Sequence, residues 1–142
     1  VISDFMSGEM ENLIDTEVED DTDLIIVEGQ GALSNYAYSG VTLGLIHGCM
    51  PDYFILTHDP SRSKDVMGHE IPDINELMQL HIDLMSHFKR SSFIGINLLT
   101  FEMDKSIAKK TIKEFESLYK LPTADLIRFG NSNLIESIYN LI

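Results

Sequence analysis

Ionisable side chains follow two short apolar runs, at positions where a parallel sheet gathers ligand-binding groups. Glu28 comes directly after the run at residues 24–27, and His58 comes directly after the run at residues 53–57. Short continuous runs of β-branched and other apolar residues predict strands that are buried on both faces of a parallel sheet. Because the loops diverge at the carboxyl ends of such strands, we expect Glu28 and His58 to lie at a crevice for a ligand.

The side chains around these two strand ends suit proton transfer or metal binding. A carboxylate at Glu28 is suited to a general base or a metal ligand, and His58 with Asp59 is suited to a proton-transfer pair or to metal ligands. Gly29 and Gly31 permit positive φ or the close approach of a ligand, which here would be a cofactor. The structural alternatives are a carboxylate that accepts loop N–H groups, a histidine bonded within its loop, and an ordinary tight turn.

A predicted helix at residues 39–47 begins with small and hydroxyl-bearing residues. The free amides of its first turn, with the hydroxyls of Ser39 and Thr42 and with Gly40 between them, suit a phosphate or carboxylate of a cofactor. Ordinary helix capping is the alternative for these residues.

Three further side chains near the two strand ends are candidate ligand contacts. Tyr36 and Tyr38 suit stacking on a substrate or hydrogen bonding to it, and the alternative is that they hold their own loop in place. Arg62 suits bidentate binding of an anionic cofactor group, and an exposed salt bridge is the alternative.

The composition excludes several classes of function. The 142 residues are 44% hydrophobic and carry a formal net charge of −13, which repels nucleic acid and anionic membrane surfaces. We therefore expect any anionic ligand to be held by local dipoles. Cys49 is the one cysteine, and no apolar run approaches the length of a transmembrane helix, so we expect a cytoplasmic protein with neither a disulfide nor a membrane anchor.

Strands alternate with helices along the sequence. Beyond the segments already named, the pattern predicts an amphipathic helix at residues 4–19, a loop at 58–72 and a helix that begins at Asp73 and runs to Phe88. It then predicts a strand at 92–98, a helix from Asp104 to Tyr119, a weak fourth strand at 124–129 and a last helix that begins at Asn131 or Ser132. This order predicts an α/β fold with a doubly wound, mostly parallel sheet flanked by helices.

Neither of the common phosphate-binding motifs of such sheets occurs in the sequence. Gly29-Gln30-Gly31 lacks the third glycine of G-x-G-x-x-G, and no G-x-x-x-x-G-K-[ST] is present. We therefore reject a dinucleotide-binding Rossmann interpretation.

The motif VEGQGALSNYAYSGVTLGLIHG carries a family resemblance, together with VISDFMSG before it and PDYFILTHDPSR, GINLLT and LPTADLIRFG after it. It resembles the C-terminal region of a bacterial and archaeal family, long described as a domain of unknown function, that includes D-glutamate N-acetyltransferase. The resemblance implies a partial P-loop NTPase-like fold without the P-loop segment. It also implies that residues 1–142 form a single α/β domain, the C-terminal portion of a longer protein. More distantly, VEGQGA is similar to the VEGAGG turn of dethiobiotin synthetases, whose glutamate lies near magnesium and substrate.

Three functions follow from this resemblance. The first is N-acetyl transfer from acetyl-CoA to a small D-amino acid, with a base near Glu28 or His58; the second is an ATP- and magnesium-dependent ligase or kinase-like reaction with Glu28 on the metal. The third is a non-catalytic scaffold or regulatory module. We expect this chain alone to be inactive, to bind nucleotide weakly, and to have as partners the missing N-terminal part of its own protein, a small-molecule substrate and further copies of itself.

Overall fold

A computed structural model describes residues 2–130 and 133–141 of the chain. Contacts divide the chain into two units, and each is described here by itself. Unit 1 comprises Val1–Asp52 and Pro72–Arg90, and unit 2 comprises Tyr53–Ile71 and Ser91–Ile142. The helices of the described residues are α1 (Met6–Glu17), which follows a 3₁₀ turn at Ser3–Phe5, then α2 (Ser39–Cys49), α3 (Ile74–Ser86), α4 (Lys105–Tyr119), α5 (Leu126–Phe129) and α6 (Asn133–Tyr139).

Unit 2 contains a parallel sheet, which has three strands in the part of the chain that the structure describes. They are β1 (Tyr53–His58), β2 (Ser92–Leu98) and β3 (Thr123–Ala124), and they lie side by side in this order. β1 and β2 are in register from Tyr53 opposite Ser92 to His58 opposite Leu98, with a shift between Phe54 and Ile55. The predicted α/β class, with a parallel sheet flanked by helices, is confirmed.

The centre of unit 2 lies where β2 meets α6. Ile96 and Leu98 of β2 and Leu134 of α6 are fully buried. Gly95 provides the space for this contact, because a Cβ at that position would lie 2.0 Å from the Leu134 Cδ1 atom. The apolar run in β2 is thus buried as a central parallel strand requires.

In unit 1, α1 and α2 pack closely because α2 contains glycines on the face that meets α1. A Cβ on Gly44 would lie 3.0 Å from the Met6 Sδ atom, and a Cβ on Gly48 would lie 2.5 Å from both the Met10 Cβ and the Ser7 carbonyl oxygen. This pair of helices supports the loop that carries Glu28.

The helix predictions are confirmed to within a few residues. The Asp73 side chain caps α3 as predicted, accepting a hydrogen bond of 2.8 Å from the Asn75 N–H. Asp104 is the N-cap of α4 as predicted, although its side chain makes no capping hydrogen bond. The predicted start of the last helix at Asn131 or Ser132 lies outside the described residues.

Two of the strand predictions are wrong. Residues 24–27 form no strand, and Leu24, Ile25 and Ile26 are 44%, 46% and 80% exposed. Apolar character favours a buried strand only where a neighbouring strand and a covering layer exist, and the described residues supply neither here. The strand predicted at 124–129 ends after Ala124, because the Asp125 side chain accepts a hydrogen bond from the Arg128 N–H and so caps α5.

Among residues 2–130 and 133–141, no helix is both long enough and apolar enough to cross a membrane.

The contact between α1 and α2 can be tested by adding a methyl group at Gly48. We expect Gly48→Ala to lower the free energy of unfolding by about 1–3 kcal/mol, because the Ser7 backbone oxygen cannot move away as a flexible side chain would. Urea unfolding of the variant and the parent chain measures this difference.

The matched control is Gly8→Ala within α1, where an added Cβ meets no atom within 4 Å. There the higher helix propensity of alanine should raise the free energy of unfolding by up to ~1 kcal/mol. Equal effects of the two substitutions would contradict the close packing of α1 on α2.

Candidate functional site

The loop that follows Glu28 is shaped by Gly31. Gly31 has φ of +66°, and a Cβ there would lie 2.6 Å from the Tyr38 Cβ. Glycine is therefore required for two reasons, the left-handed backbone and the contact with Tyr38. Gly29 has neither requirement, because a Cβ there meets no atom within 4 Å.

Backbone carbonyls take up several of the donors at the start of α2. The Thr42 hydroxyl is buried and donates to the Gln30 carbonyl and, at 3.2 Å, to the Tyr38 carbonyl. The Tyr38 and Ser39 N–H groups both donate to the Asn35 carbonyl, at 3.0 and 2.7 Å. The Thr42 hydroxyl thus holds the loop against α2 in this structure.

Asn35 is a site residue that the sequence analysis missed. It is 4% exposed, and its side-chain carbonyl accepts a hydrogen bond of 2.9 Å from the Ala37 N–H. An asparagine that bonds to the backbone two residues later forms a turn by itself, and the Ser-Asn-Tyr sequence was a signal for such a turn. Asn35 therefore fixes the path of the segment between Gly31 and α2.

Glu28, Tyr36 and Gly40 are among the candidates in unit 1 that are exposed to solvent. Tyr36 is 64% exposed, and a Cβ added at Gly40 would have no atom within 4 Å. The Glu28 carboxylate is exposed and has no hydrogen bond or ion pair to any residue in the described ranges. Such a carboxylate is accessible to a substrate or to a metal ion.

In unit 2, α4 holds the ring of His58 at the end of β1. The imidazole stacks on Phe115 of α4 with a centroid distance of 6.0 Å and an interplanar angle of 27°. Partial burial lowers the pKa of His58 below its usual value of 6.5; Asp59 opposes this shift and Arg62 adds to it. His58 is therefore a neutral imidazole near pH 7, which can accept a proton.

Asp59 and Arg62 follow His58 in one turn. The Asp59 Oδ1 atom accepts hydrogen bonds from the Ser61 N–H at 2.9 Å and from the Ser61 hydroxyl at 2.6 Å, while the Asp59 carbonyl accepts one from the Arg62 N–H at 3.2 Å. Arg62 is exposed and donates to the Lys64 carbonyl at 3.3 Å. The structure thus brings His58, Asp59 and Arg62 together, with Asp59 acting on the imidazole through its charge.

A second cluster at the same edge of the sheet was missed by the sequence analysis. The Asp125 Oδ2 atom accepts hydrogen bonds from the Thr100 N–H at 2.9 Å and from the Thr100 hydroxyl at 2.6 Å, and Oδ1 accepts one from the Arg128 N–H at 2.9 Å. The Arg128 guanidinium donates to the Thr100 carbonyl. Both Thr100 and Asp125 come one or two residues after a strand, and that spacing was the available signal.

The candidate residues fall in different units. Glu28 and the residues through Thr42 belong to unit 1, whereas His58, Asp59 and Arg62 belong to unit 2. Among the described residues, no group of three or more His, Cys, Asp or Glu side chains is arranged to hold a metal ion.

The conformation of the loop can be tested at its two glycines. Gly31→Ala should expose the amides of Tyr38 and Ser39 to hydrogen exchange, because the strain at positive φ and the clash with Tyr38 open the turn at Asn35. Gly29→Ala is the matched control and should leave their exchange unchanged. Identical exchange in both variants would show that the turn does not depend on Gly31.

Burial of neutral His58 makes stability depend on pH. Because its pKa is lower in the folded than in the unfolded chain, the unfolded chain binds more protons below pH 6.5. The contribution of His58 is therefore fully present above about pH 6.5 and is lost as the pH falls through the folded pKa. His81 adds to this dependence, since burial also lowers its pKa, although its bond to the Leu77 carbonyl opposes the shift.

Urea unfolding between pH 7.5 and 5 should show this loss, and His58→Gln should reduce its slope. His87→Gln, at an exposed histidine of α3's C-terminal cap, is the control and should leave the slope as it is. A slope that is the same in all three chains would exclude His58 as a source.

Two bacterial relatives match almost the whole chain. It is 35% identical over 141 residues to a protein of Tritonibacter scottomollicae and 28% identical over 141 residues to one of a Pseudoalteromonas species, both named D-glutamate N-acetyltransferase. Each match covers 97% of this chain and 42% of the relative. The chain therefore spans about two fifths of the length of these curated relatives.

A solved structure and a family model agree with this similarity. The crystal structure of a DUF1611 family protein from Anabaena variabilis matches with a TM-score of 0.91 and 29% identity, over 99% of this chain and 41% of that chain. The family model described as "Domain of unknown function (DUF1611_C) P-loop domain" matches residues 1–135. The resemblance indicated by the sequence motifs is confirmed, and the chain belongs to the DUF1611 family, in its C-terminal P-loop domain.

Proposed function

We propose that this chain is the C-terminal part of an enzyme that transfers an acetyl group from acetyl-CoA to the amino group of a small D-amino acid. The observation that carries the proposal is the similarity over 97% of the chain to two proteins named D-glutamate N-acetyltransferase. Since the chain covers 42% of each, the proposed enzyme needs a further, N-terminal part.

The chemistry of this reaction requires a base that is unprotonated near pH 7. An amino group attacks the thioester carbonyl only after its ammonium form has lost a proton, and the attack releases a thiolate as the carbon–sulfur bond breaks. The imidazole of His58 has the lowered pKa and the stacked, fixed orientation that such a proton acceptor needs. Glu28 is the second candidate, since its carboxylate has no partner in the described ranges.

Arg62 is suited to the carboxylate of an amino-acid substrate. It is exposed, it forms no ion pair with a described residue, and its charge acts on His58. A guanidinium binds a carboxylate in a bidentate manner, which would fix the amino group relative to a nearby base. In the same proposal, Tyr36 and Tyr38 contact the amino-acid substrate. The acyl donor is bound by the residues of the loop and the start of α2, namely Gly29, Gly31, Ser39, Gly40 and Thr42.

The exposed apolar segment at residues 24–27 supports the need for a further part. Leu24, Ile25 and Ile26 form neither a helix nor a strand and are exposed. Burying side chains of this size stabilises a protein by about 1.5–3 kcal/mol each. We infer that a strand from the N-terminal part pairs with this segment and buries its apolar side chains.

A second candidate, an ATP- and magnesium-dependent ligase or kinase-like enzyme, is favoured by the family description as a P-loop domain. The two candidate reactions require different cosubstrates. Acetyl transfer from a thioester proceeds without ATP, whereas phosphoryl transfer requires a nucleotide and a divalent cation.

The full-length gene product distinguishes the two candidates. We expect it to consume acetyl-CoA and a D-amino acid in the presence of EDTA and without ATP, measured as release of free thiol. A strict requirement for magnesium and ATP would support the second candidate instead. A gene product with no residues before Val1 would contradict the proposed N-terminal part.

Variants of that protein test the catalytic roles. His58→Gln should lower kcat by about 10²–10⁴-fold with a smaller change in KM if the imidazole is the base. Arg62→Ala should chiefly raise KM for the amino acid. His87→Gln is the control for the loss of a histidine. If both His58→Gln and Glu28→Gln keep full activity, neither residue is the base.

A further inference from the structure

Positive charge is concentrated in one helix of this acidic chain. Five of the seven lysines fall between residues 105 and 120, the range of α4 and its C-cap, whereas 21 of the 23 acidic residues lie elsewhere. An isolated basic region in a protein of net charge −13 attracts anions against the field of the rest of the molecule.

Three of these lysines, Lys109, Lys110 and Lys113, line a groove within unit 2. The groove has a volume of about 650 Å³ and lies between α4 and the segment that forms β3 and α5. Its size is typical of pockets for small ligands. The residues that matter for its chemistry are Lys109, Lys110, Lys113, Glu116, Ala124 and Phe129.

The ammonium groups are not neutralised. Lys109 Nζ lies 5.7 Å from the ring centroid of Phe129, so its charge is held over the wall of the groove. Neither Lys109 nor Lys113 forms an ion pair with a described residue, and Lys110 forms only an exposed pair with Glu114 at 3.3 Å. Because Lys109 and Lys113 are four residues apart on one helix, their charges also repel each other.

The acidic side chains of the groove do not balance these charges. Asp125 is 1% exposed, and its carboxylate is used by Thr100 and Arg128. Glu116 is half-buried and is the one other acid among the lining residues. The three lysines outnumber the two acids of the lining, Glu116 and the ionised Asp125, so the groove carries a net charge of about +1.

We propose that this groove binds a small ligand that carries several phosphate groups. The phosphates interact with Lys109 and Lys113, and an apolar part of the ligand packs on Ala124 and Phe129. A lysine is a compact point charge that commonly binds phosphate. ATP and coenzyme A both offer this chemistry. The proposal is independent of the acetyl-transfer reaction, because none of these residues is among the candidates around Glu28 in unit 1 or around His58 in unit 2.

An acidic protein segment is the competing occupant, for example residues 17–23 of another copy, which are rich in Asp and Glu. The lining of the groove favours the small ligand, since it combines three lysines with an aromatic ring.

The test titrates the ¹⁵N-labelled chain with tripolyphosphate, with ATP plus EDTA, and with coenzyme A, followed by amide chemical shifts. We expect millimolar binding, with shifts confined to residues 106–116 and 123–130. The double variant Lys109→Gln/Lys113→Gln should weaken binding about tenfold. The matched control Lys105→Gln/Lys120→Gln removes the same charge from the same helix and its cap, outside the groove, and should weaken binding less than about twofold.

Each outcome decides between the groove and its alternatives. Equal weakening by the two double variants would overturn the proposal, because it would indicate non-specific attraction to α4. Shifts centred on residues 28–42 or 58–62 would overturn it in favour of the candidate site. A dimer that dissociates in Lys109→Gln/Lys113→Gln, without shifts from any phosphate probe, would overturn it in favour of the acidic segment. Tighter binding of ATP or of coenzyme A than of tripolyphosphate, lost in the groove variant, would support it and identify the source.

Discussion

A buried carboxylate joins the ends of two strands in unit 2. Burial alone would raise the pKa of Asp125, but hydrogen bonds from the Thr100 hydroxyl and from the Arg128 and Thr100 N–H groups outweigh it and lower the pKa below the usual value. The carboxylate is therefore ionised near neutral pH and satisfies three donors that would otherwise be buried without partners, each at a cost of about 1–3 kcal/mol. The end of β2, the end of β3 and the start of α5 are fixed together by this one group.

Asp125 also shows where sequence analysis succeeds and where it fails. Helices α1 to α4 and strands β1 and β2 were predictable because each has a periodic pattern or an apolar run that its own neighbours bury. The end of β3 was not, since residues 124–129 have strand-like composition and only the Asp125 side chain, by capping α5, turns the chain into a helix. The segment at 24–27 also has the local pattern of a strand. It forms none because pairing depends on residues beyond the segment.

The same distinction applies to the candidate site. The sequence identified chemically capable residues, and for His58 the structure adds the stacking on Phe115 and the lowered pKa that make it a proton acceptor. It could not separate Gly31, which is required by its backbone, from Gly29, which is not. Asn35 and the Thr100–Asp125 pair were missed because their importance comes from burial and from partners up to 25 residues away.

The net charge leads to a final argument about anionic ligands. A charge of −13 suggested that local dipoles would have to hold them. Yet the Thr42 hydroxyl and the Tyr38 and Ser39 amides at the start of α2 already donate to backbone carbonyls. Fewer hydrogen-bond donors are therefore left there for an anion. Arg62 beside His58, and Lys109 and Lys113 on α4, are cations elsewhere that form no ion pair with a described residue. Because the surrounding field is negative, an anion gains most where cations are both clustered and free of acidic partners. In this chain that condition is met at α4 more fully than at the start of α2.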